Sequence, residues 1–490
     1  IKKGGIGLPI IIAISFFLTY HFIGIFAKNS AEDDSLNPLI ATWLSTVIMF
    51  PISIYLTNRA TKDRSLMDLD SLLLPIKRLV NPKHDSDDIG LKIFEVDSEA
   101  YGKLNAYSDN KLIDLLKNYK SPYTATAIQK LLDAGAIPIV KENCDSFGHG
   151  SSSENTIFGA VKNALNPAFV AGGSSGGSAV NVAKDFTVFS IGGDTGGSIR
   201  QPAGYNKIYG LKPTYGRISR YGLMAYASST DCVGPLAKSV EDIRILLNVM
   251  SGKDPKDQTS ITSNEVSEKA ILTNTVKTVG YFKNFIESDA IDTEVKAGFL
   301  ASIEKIKASG IKVKELDFFK SDILVSTYYT LAMAETASNL SRLDGTNYGN
   351  RIEAENLIES YAVTRSENFS EETKRRIVGG NQVLSQGFSD EIYLKGLTLR
   401  DQISENFKKD FEEVDIILSP VTPSAPPKIG ESLKNPHAMY LSDAYTVGFS
   451  LGQLPTLTVP QGTVTGLQIT AAKNNEELIL KFANFLKDRI

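Results

Sequence analysis

Cysteine and histidine are scarce in this chain: among 490 residues there are two cysteines, Cys144 and Cys232, and four histidines, His21, His84, His149 and His437. Two thiols cannot make a disulfide framework, and so few Cys and His residues cannot assemble a zinc cluster. The chain is therefore expected to be metal-free and to belong to a reducing compartment. An excess of either charge is also missing. With 52 Lys+Arg against 56 Asp+Glu the formal net charge is −4, which gives no global electrostatic case for nucleic-acid binding. What is present is 42% hydrophobic and 22% charged residues, enough for a core and far from a disordered or collagen-like composition. At roughly 100–200 residues per domain the length implies two to four domains, or one large α/β enzyme with an attachment.

Asp, Glu, Lys and Arg are absent from two windows, residues 4–27 and 35–58, each 24 residues long. At ~1.5 Å rise per residue each could cross a hydrocarbon core of ~30 Å. The loop between them carries Glu32, Asp33 and Asp34, whereas Lys2 and Lys3 precede the first window and Arg59, Lys62 and Arg64 follow the second. The positive-inside bias then puts both ends in the cytoplasm. The expectation is two transmembrane helices within residues 1–64, with membrane contact through residues 1–60. A cytoplasmic tail or junction over 65–120 and a cytoplasmic remainder would follow. A secretory signal fits less well, because the first window is long for an apolar signal core and a second span follows it. Two buried helices of a soluble core are the plainer alternative. The runs Ile1-Lys-Lys-Gly-Gly-Ile-Gly-Leu-Pro9, Asn58-Arg-Ala-Thr-Lys-Asp63 and Met67-Asp-Leu-Asp70 resemble the C-terminal end of lipopolysaccharide-export permease subunits. That resemblance covers two of the family's six spans, which implies a fragment, a gene fusion or an assembly artefact, and two helices assign no transport function.

From about Ser121 the pattern is that of an α/β protein. Residues Ala125–Ala134 read as a helix carrying Ile128, Leu131 and Leu132 on one side, and Ala136–Val140 as a buried strand. Phe186–Ile191 reads as a second strand, Val240–Met250 as a helix, and Val414–Leu418 as a strand ended by Pro420 and Pro423. Glu476–Leu486 reads as an amphipathic closing helix. Such alternation predicts a mixed sheet covered by helices.

Chemistry concentrates in two glycine–serine clusters, Gly172-Gly-Ser-Ser-Gly-Gly-Ser178 and Gly192-Gly-Asp-Thr-Gly-Gly-Ser-Ile-Arg-Gln-Pro202. Paired glycines let backbone amides approach a ligand closely, which suits an oxyanion hole, and the adjacent serines supply nucleophiles. A phosphate-cradling loop would want Gly-Lys-Ser/Thr, and no lysine follows either cluster. A flexible linker fits poorly, because both clusters abut apolar segments. Gly173-Ser-Ser-Gly-Gly177 matches the five-residue nucleophile elbow of α/β-hydrolases, with Ser175 as nucleophile. That reading needs a downstream histidine, and His437 is the one available.

The run from Gly172 to Pro202, with Gly210-Leu-Lys-Pro-Thr-Tyr-Gly-Arg-Ile-Ser-Arg-Tyr-Gly222 and Ser228-Ser-Thr-Asp-Cys-Val-Gly-Pro235, resembles the amidase signature family. Within it the runs are similar to those of A subunits of glutamyl-tRNA(Gln)/aspartyl-tRNA(Asn) amidotransferases, which are carbon–nitrogen ligases with glutamine as amido donor. Asn143, Gly150–Asn155, Glu372–Ile377 and Asp415–Pro420 extend the resemblance over about residues 121–490. It implies a domain with helices on both faces of its sheet, lacking its N-terminal portion. It also implies Ser198 as the acyl-ester nucleophile and Ser174, after a cis peptide from Gly173, as the proton relay. Backbone N–H groups of Thr195, Gly196, Gly197 and Ser198 would form the oxyanion hole, and Arg376 and Asp443 would hold the carboxylate and amino group of glutamine. Without the resemblance, Arg376 and Asp443 read equally well as a surface charge and a helix cap. No cofactor is implied for this subunit. ATP and Mg²⁺ would sit on a partner B subunit that also binds the mischarged tRNA, and a C subunit would tether the pair. The family's catalytic lysine is not found: no strand here reads Pro-Ile/Val-Ala-Ile-Lys-Asp-Asn. Lys77 belongs to the permease-like part, Lys141 matches a later strand, and Lys103 stands at a fitting distance in an unlike context.

Overall fold

The computed structural model describes Ile25, residues 115–116 and residues 119–490 apart from 320, 387 and 388. Both uncharged windows, apart from Ile25, and also Lys77 and Lys103, lie outside the described residues. Among the described residues no helix is long and apolar enough to cross a membrane. The chain divides into two units, Ile1–Ile93 and Phe94–Ile490.

The second unit is built around an eight-stranded sheet. The strands are β1 (Phe189–Asp194), β2 (Tyr209–Lys212), β3 (Cys232–Ala237), β4 (Thr278–Phe282), β5 (Lys312–Leu316), β6 (Ile416–Pro420), β7 (Thr456–Val459) and β8 (Leu467–Thr470). They lie in the order β1-β3-β2-β7-β8-β6-β4-β5. β4 runs parallel to β5 and β6, and the other pairs are antiparallel. Side chains alternate across a strand, so each strand serves two cores. On β6, Ile416 and Leu418 join one apolar cluster and Ile417 the other; on β4, Val279 and Tyr281 face the first and Phe282 the second.

Helices cover both faces, as a mixed α/β sheet requires. The first face packs against α1 (Thr126–Asp133), and the second, at its β1–β3 end, against α2 (Gly176–Ala183) and α3 (Arg200–Tyr205). α4 (Val240–Met250) and α5 (Thr293–Ala308) complete the middle of the first face. α6 (Leu324–Asn339), α7 (Glu371–Leu384), α8 (Leu394–Glu413) and α9 (Val447–Leu451) come next in the chain, with α6, α8 and α9 packed on the second face, and α10 (Glu476–Leu486) closes the first. α4 starts where Ser239 accepts from the Asp242 N–H, and Glu241 and Asp242 oppose the helix dipole in its first turn. It buries Val240, Ile243, Leu246, Leu247 and Met250, one stripe at helical spacing.

Three sequence expectations need correction. Residues 136–140 are not a buried strand: Ile137 is 83% exposed and Ile139 65% exposed. An apolar run becomes a strand only where a neighbouring backbone pairs with it, and none of the described strands does. The strand expected at Phe186–Ile191 is displaced to Phe189–Asp194, leaving Phe186 and Val188 exposed. The strand expected at Val414–Leu418 runs Ile416–Pro420, so Pro420 is its last residue, and Val414 instead caps α8.

Candidate active site

The two glycine–serine clusters meet. The first is the loop that turns into α2, and its Gly173–Ser174 peptide bond is cis. The second follows β1 and turns into α3. The Ser175 N–H donates to the Ser198 carbonyl at 3.0 Å, which sets the cluster holding Ser174 against the one holding Ser198. Ser174 is buried, and Ser198 is half-buried at the end of its turn.

That turn is tightly held. Asp194 Oδ2 accepts from the backbone N–H groups of Ile199 at 3.0 Å and Arg200 at 3.3 Å. The Arg200 guanidinium pairs with both Asp194 oxygens and donates onward to the Thr446 carbonyl and Ser450 Oγ. Burial works to raise the Asp194 carboxyl, but Arg200 and Lys212 bring it below the usual carboxylate range. Thr195 donates its hydroxyl to Asp231, and Thr446 donates its own to the Gly196 carbonyl. Gly197 has φ +144°, and a Cβ there would stand 2.6 Å from Thr446 Oγ1, so only glycine fits. Among the described residues, the N–H groups of Thr195, Gly196, Gly197 and Ser198 donate to no protein acceptor. Four such donors on one turn can stabilise a developing oxyanion.

Arg376, on α7, and Asp443 are both buried, so the surface-charge reading of Arg376 falls. The Arg376 Nε donates to Glu372 at 2.8 Å and Nη1 to the Tyr226 hydroxyl. The rings of Tyr226, Tyr329 and Tyr440 surround the guanidinium at 5.4, 5.3 and 5.7 Å. Asp443 accepts from the Tyr329 hydroxyl at 2.6 Å and the Ser151 hydroxyl at 2.9 Å. Burial pushes its carboxyl up to about 6, against the downward pull of those hydroxyls and Arg376. Tyr329 thus bridges the fixed cation and the fixed carboxylate. Sequence reasoning missed it, because in α6 it looks like one more core aromatic. Ser151 lies inside the run Gly150–Asn155 and could have been flagged as polar beside glycine.

The structure does not assemble the nucleophile elbow. Ser175 donates its hydroxyl to the Gly193 carbonyl at 3.2 Å, and His437 is exposed on the short helix Pro436–Leu441. His149 is buried, with Nδ1 3.0 Å from Thr373 Oγ1, and burial and Arg376 hold its imidazole well below the ordinary value. Beside Ser174 and Ser175 opens a cavity of about 590 Å³, lined also by Ile128, Phe158, Leu223 and Lys141.

A paired-serine turn with free N–H groups is what an amide-cleaving site needs, and residues 113–480 match the Amidase family. The chain belongs to that family. It is 44% identical to the A subunit of the glutamyl-tRNA(Gln) amidotransferase of Lachnospira eligens over 375 residues, covering 75% of this chain and 78% of the relative. The corresponding protein of Neisseria meningitidis is 44% identical over 355 residues, 72% of this chain and 73% of the relative. Among solved structures, the glutamyl-tRNA(Gln) amidotransferase A subunit of Thermotoga maritima superposes with a TM-score of 0.64 at 31% identity, covering 76% of this chain and 77% of its own. A crystal structure of an amidase gives 0.63 at 27% identity, covering 78% and 83%. The sheet with helices on both faces is therefore the amidase fold, and the chain is an enzyme of this family.

Proposed function

We propose that the chain is the glutamine-hydrolysing subunit of a tRNA-dependent amidotransferase, supplying ammonia for conversion of Glu-tRNA(Gln) or Asp-tRNA(Asn). The observation that carries this reading is the juxtaposition of Arg376 and Asp443 across Tyr329. A free amino acid presents one carboxylate and one ammonium, and a buried cation and a buried carboxylate held by one tyrosine complement both.

In this reading Ser198 attacks the side-chain amide carbon of glutamine, and the backbone N–H groups of residues 195–198 hold the oxyanion. Ser174 passes the serine proton to the leaving nitrogen, so ammonia departs and a glutamyl ester remains on Ser198. Water then hydrolyses the ester, with Ser174 moving a proton back. The ammonia goes to a B subunit, which holds ATP, Mg²⁺ and the mischarged tRNA, while a C subunit tethers the two.

Turnover is impaired in this reading. No lysine of the sequence stands in the family's strand motif. Loss of a positioned base costs roughly 10²–10⁴ in rate. Residues 1–60 anchor the chain in a membrane, a part of the reading that rests on the two uncharged windows alone.

The test is glutamine hydrolysis by the chain with B and C subunits, beside a chain whose residues 1–120 are replaced by the N-terminal portion of an intact relative. Replacement should raise the rate at least about 10²-fold. Equal rates would mean that another group, such as Lys103, serves as base. No hydrolysis by either chain would favour a membrane-anchored, non-catalytic binding subunit.

A further inference from the structure

Ser174 presents its hydroxyl from a loop whose backbone is tied on both sides of it, and most of those ties lead to two residues outside both glycine–serine clusters. Ser153 is fully buried with φ +59°. Its Oγ donates to the Gly172 carbonyl at 2.8 Å and the Ser174 carbonyl at 3.1 Å, and accepts from the Gly176 N–H at 3.0 Å. Asp145, also fully buried, donates its own N–H to the Ser174 carbonyl at 3.2 Å. Its two carboxylate oxygens accept from the N–H groups of Ser153 and Asn155, each at 2.9 Å. A Cβ on Gly173 would fall 2.1 Å from Asp145 Oδ2, so the carboxylate occupies the space a side chain would take. On the far side, the Gly173 N–H donates to Gln201 Oε1 at 3.1 Å.

We propose that Asp145 and Ser153 are positioning residues for Ser174: they fix the loop on both sides of it and so aim its hydroxyl at the turn bearing Ser198. The proposal rests on the glutaminase reading of the site. Neither residue touches a reacting atom. The reason both types are needed is chemical. A carboxylate accepts on both oxygens, whereas asparagine would oppose one of the two N–H groups with its own NH₂. Alanine at 153 would leave the Gly172 carbonyl and the Gly176 N–H of a buried loop short of a partner, and the Ser174 carbonyl with the Asp145 N–H alone. A displacement of about 1 Å at a reacting group can cost roughly 10²-fold in rate. Burial pushes the Asp145 carboxyl up to about 7, against the two N–H groups and the charge of Arg376. Protonation near neutral pH would therefore weaken one of the two acceptors.

The experiment compares the full chain, Ser153→Ala and Asp145→Asn by hydrogen exchange and, with B and C subunits present, by glutamine hydrolysis. In Ser153→Ala the Gly176 amide should exchange at least about 10-fold faster while amides of β7 and β8 keep their rates, because a lost hydrogen bond acts locally. The kcat should fall at least about 10-fold with KM within about two-fold, as expected when only transition-state geometry is lost. Asp145→Asn should remove an inflection near pH 7 from the pH–rate profile. Unchanged exchange at Gly176, exchange accelerated across the whole sheet, or loosened exchange with unchanged kcat would each overturn the proposal. If the wild-type chain hydrolyses no glutamine, the glutaminase reading fails, and Gly176 exchange alone then decides whether the loop is held as described. Should Asp145→Asn not fold, Ser153→Ala still decides.

Discussion

Arg200 and Asp194 form a bidentate ion pair that water does not reach, Nε to Oδ2 at 3.0 Å and Nη2 to Oδ1 at 2.9 Å, with both side chains 0% exposed. The pair closes the turn that carries Ser198, because Asp194 ends β1 and Arg200 begins α3. The guanidinium also donates to the Thr446 carbonyl, Ser450 Oγ and Gln468 Oε1, so the turn is tied to α9, the residue before it and β8.

Removing one partner strands a buried charge. Arg200→Met should lower the unfolding free energy by about 3–5 kcal/mol, read from the urea midpoint at constant slope. A loss under about 1 kcal/mol would show that the pair contributes little beyond what packing supplies.

The two serines should separate by role. Ser198→Ala should abolish acyl-enzyme formation with glutamine, whereas Ser174→Ala should reduce it severely through loss of proton relay. Mass spectrometry of the trapped adduct decides the site. An adduct on Ser175 would contradict the hydrogen bond that spends its hydroxyl on Gly193.

Tyr329→Phe removes one of the two hydroxyl donors to Asp443. A hydrogen bond to a charged group is worth roughly 1.5–3 kcal/mol, so KM for glutamine should rise about 10–150-fold with kcat little changed. An equal fall in kcat at constant KM would place Tyr329 in the chemistry rather than in binding.

Stability should depend on pH with an unusual sign. Burial pushes the carboxyls of Asp145 up to about 7 and of Asp231 and Asp443 up to about 6. Each folded-state value lies above the unfolded value near 3.9, so the folded chain binds these protons more tightly. Their contribution is full below about pH 4 and is lost as pH rises through about 6–7. Asp194, with a depressed carboxyl, acts in the opposite direction at lower pH. Asp231→Asn should flatten the decline between about pH 4.5 and 7.5 in denaturation experiments. An unchanged slope would mean that Asp231 titrates normally.

Local pattern determined what local physics controls. The ends of α4 and α10 were legible at Val240–Met250 and Glu476–Leu486, because a 3.6-residue stripe, joined in α4 by the Ser239 cap, is written within one turn or two of the element itself. The glycine–serine clusters were legible for the same reason, since close backbone approach demands glycine wherever it occurs. Only the tertiary structure decided what depends on a distant neighbour. The run 136–140 has the apolar character of a strand but no pairing partner among the described strands, so its apolar side chains stay exposed. Tyr329 and Asp443 stand 114 residues apart in sequence and 2.6 Å apart in space. Their bond leaves no trace in either local pattern, because a hydrogen bond depends on the geometry of two surfaces brought together by the fold. The raised carboxyl of Asp145 likewise follows from burial, a property of the folded chain that no residue carries alone.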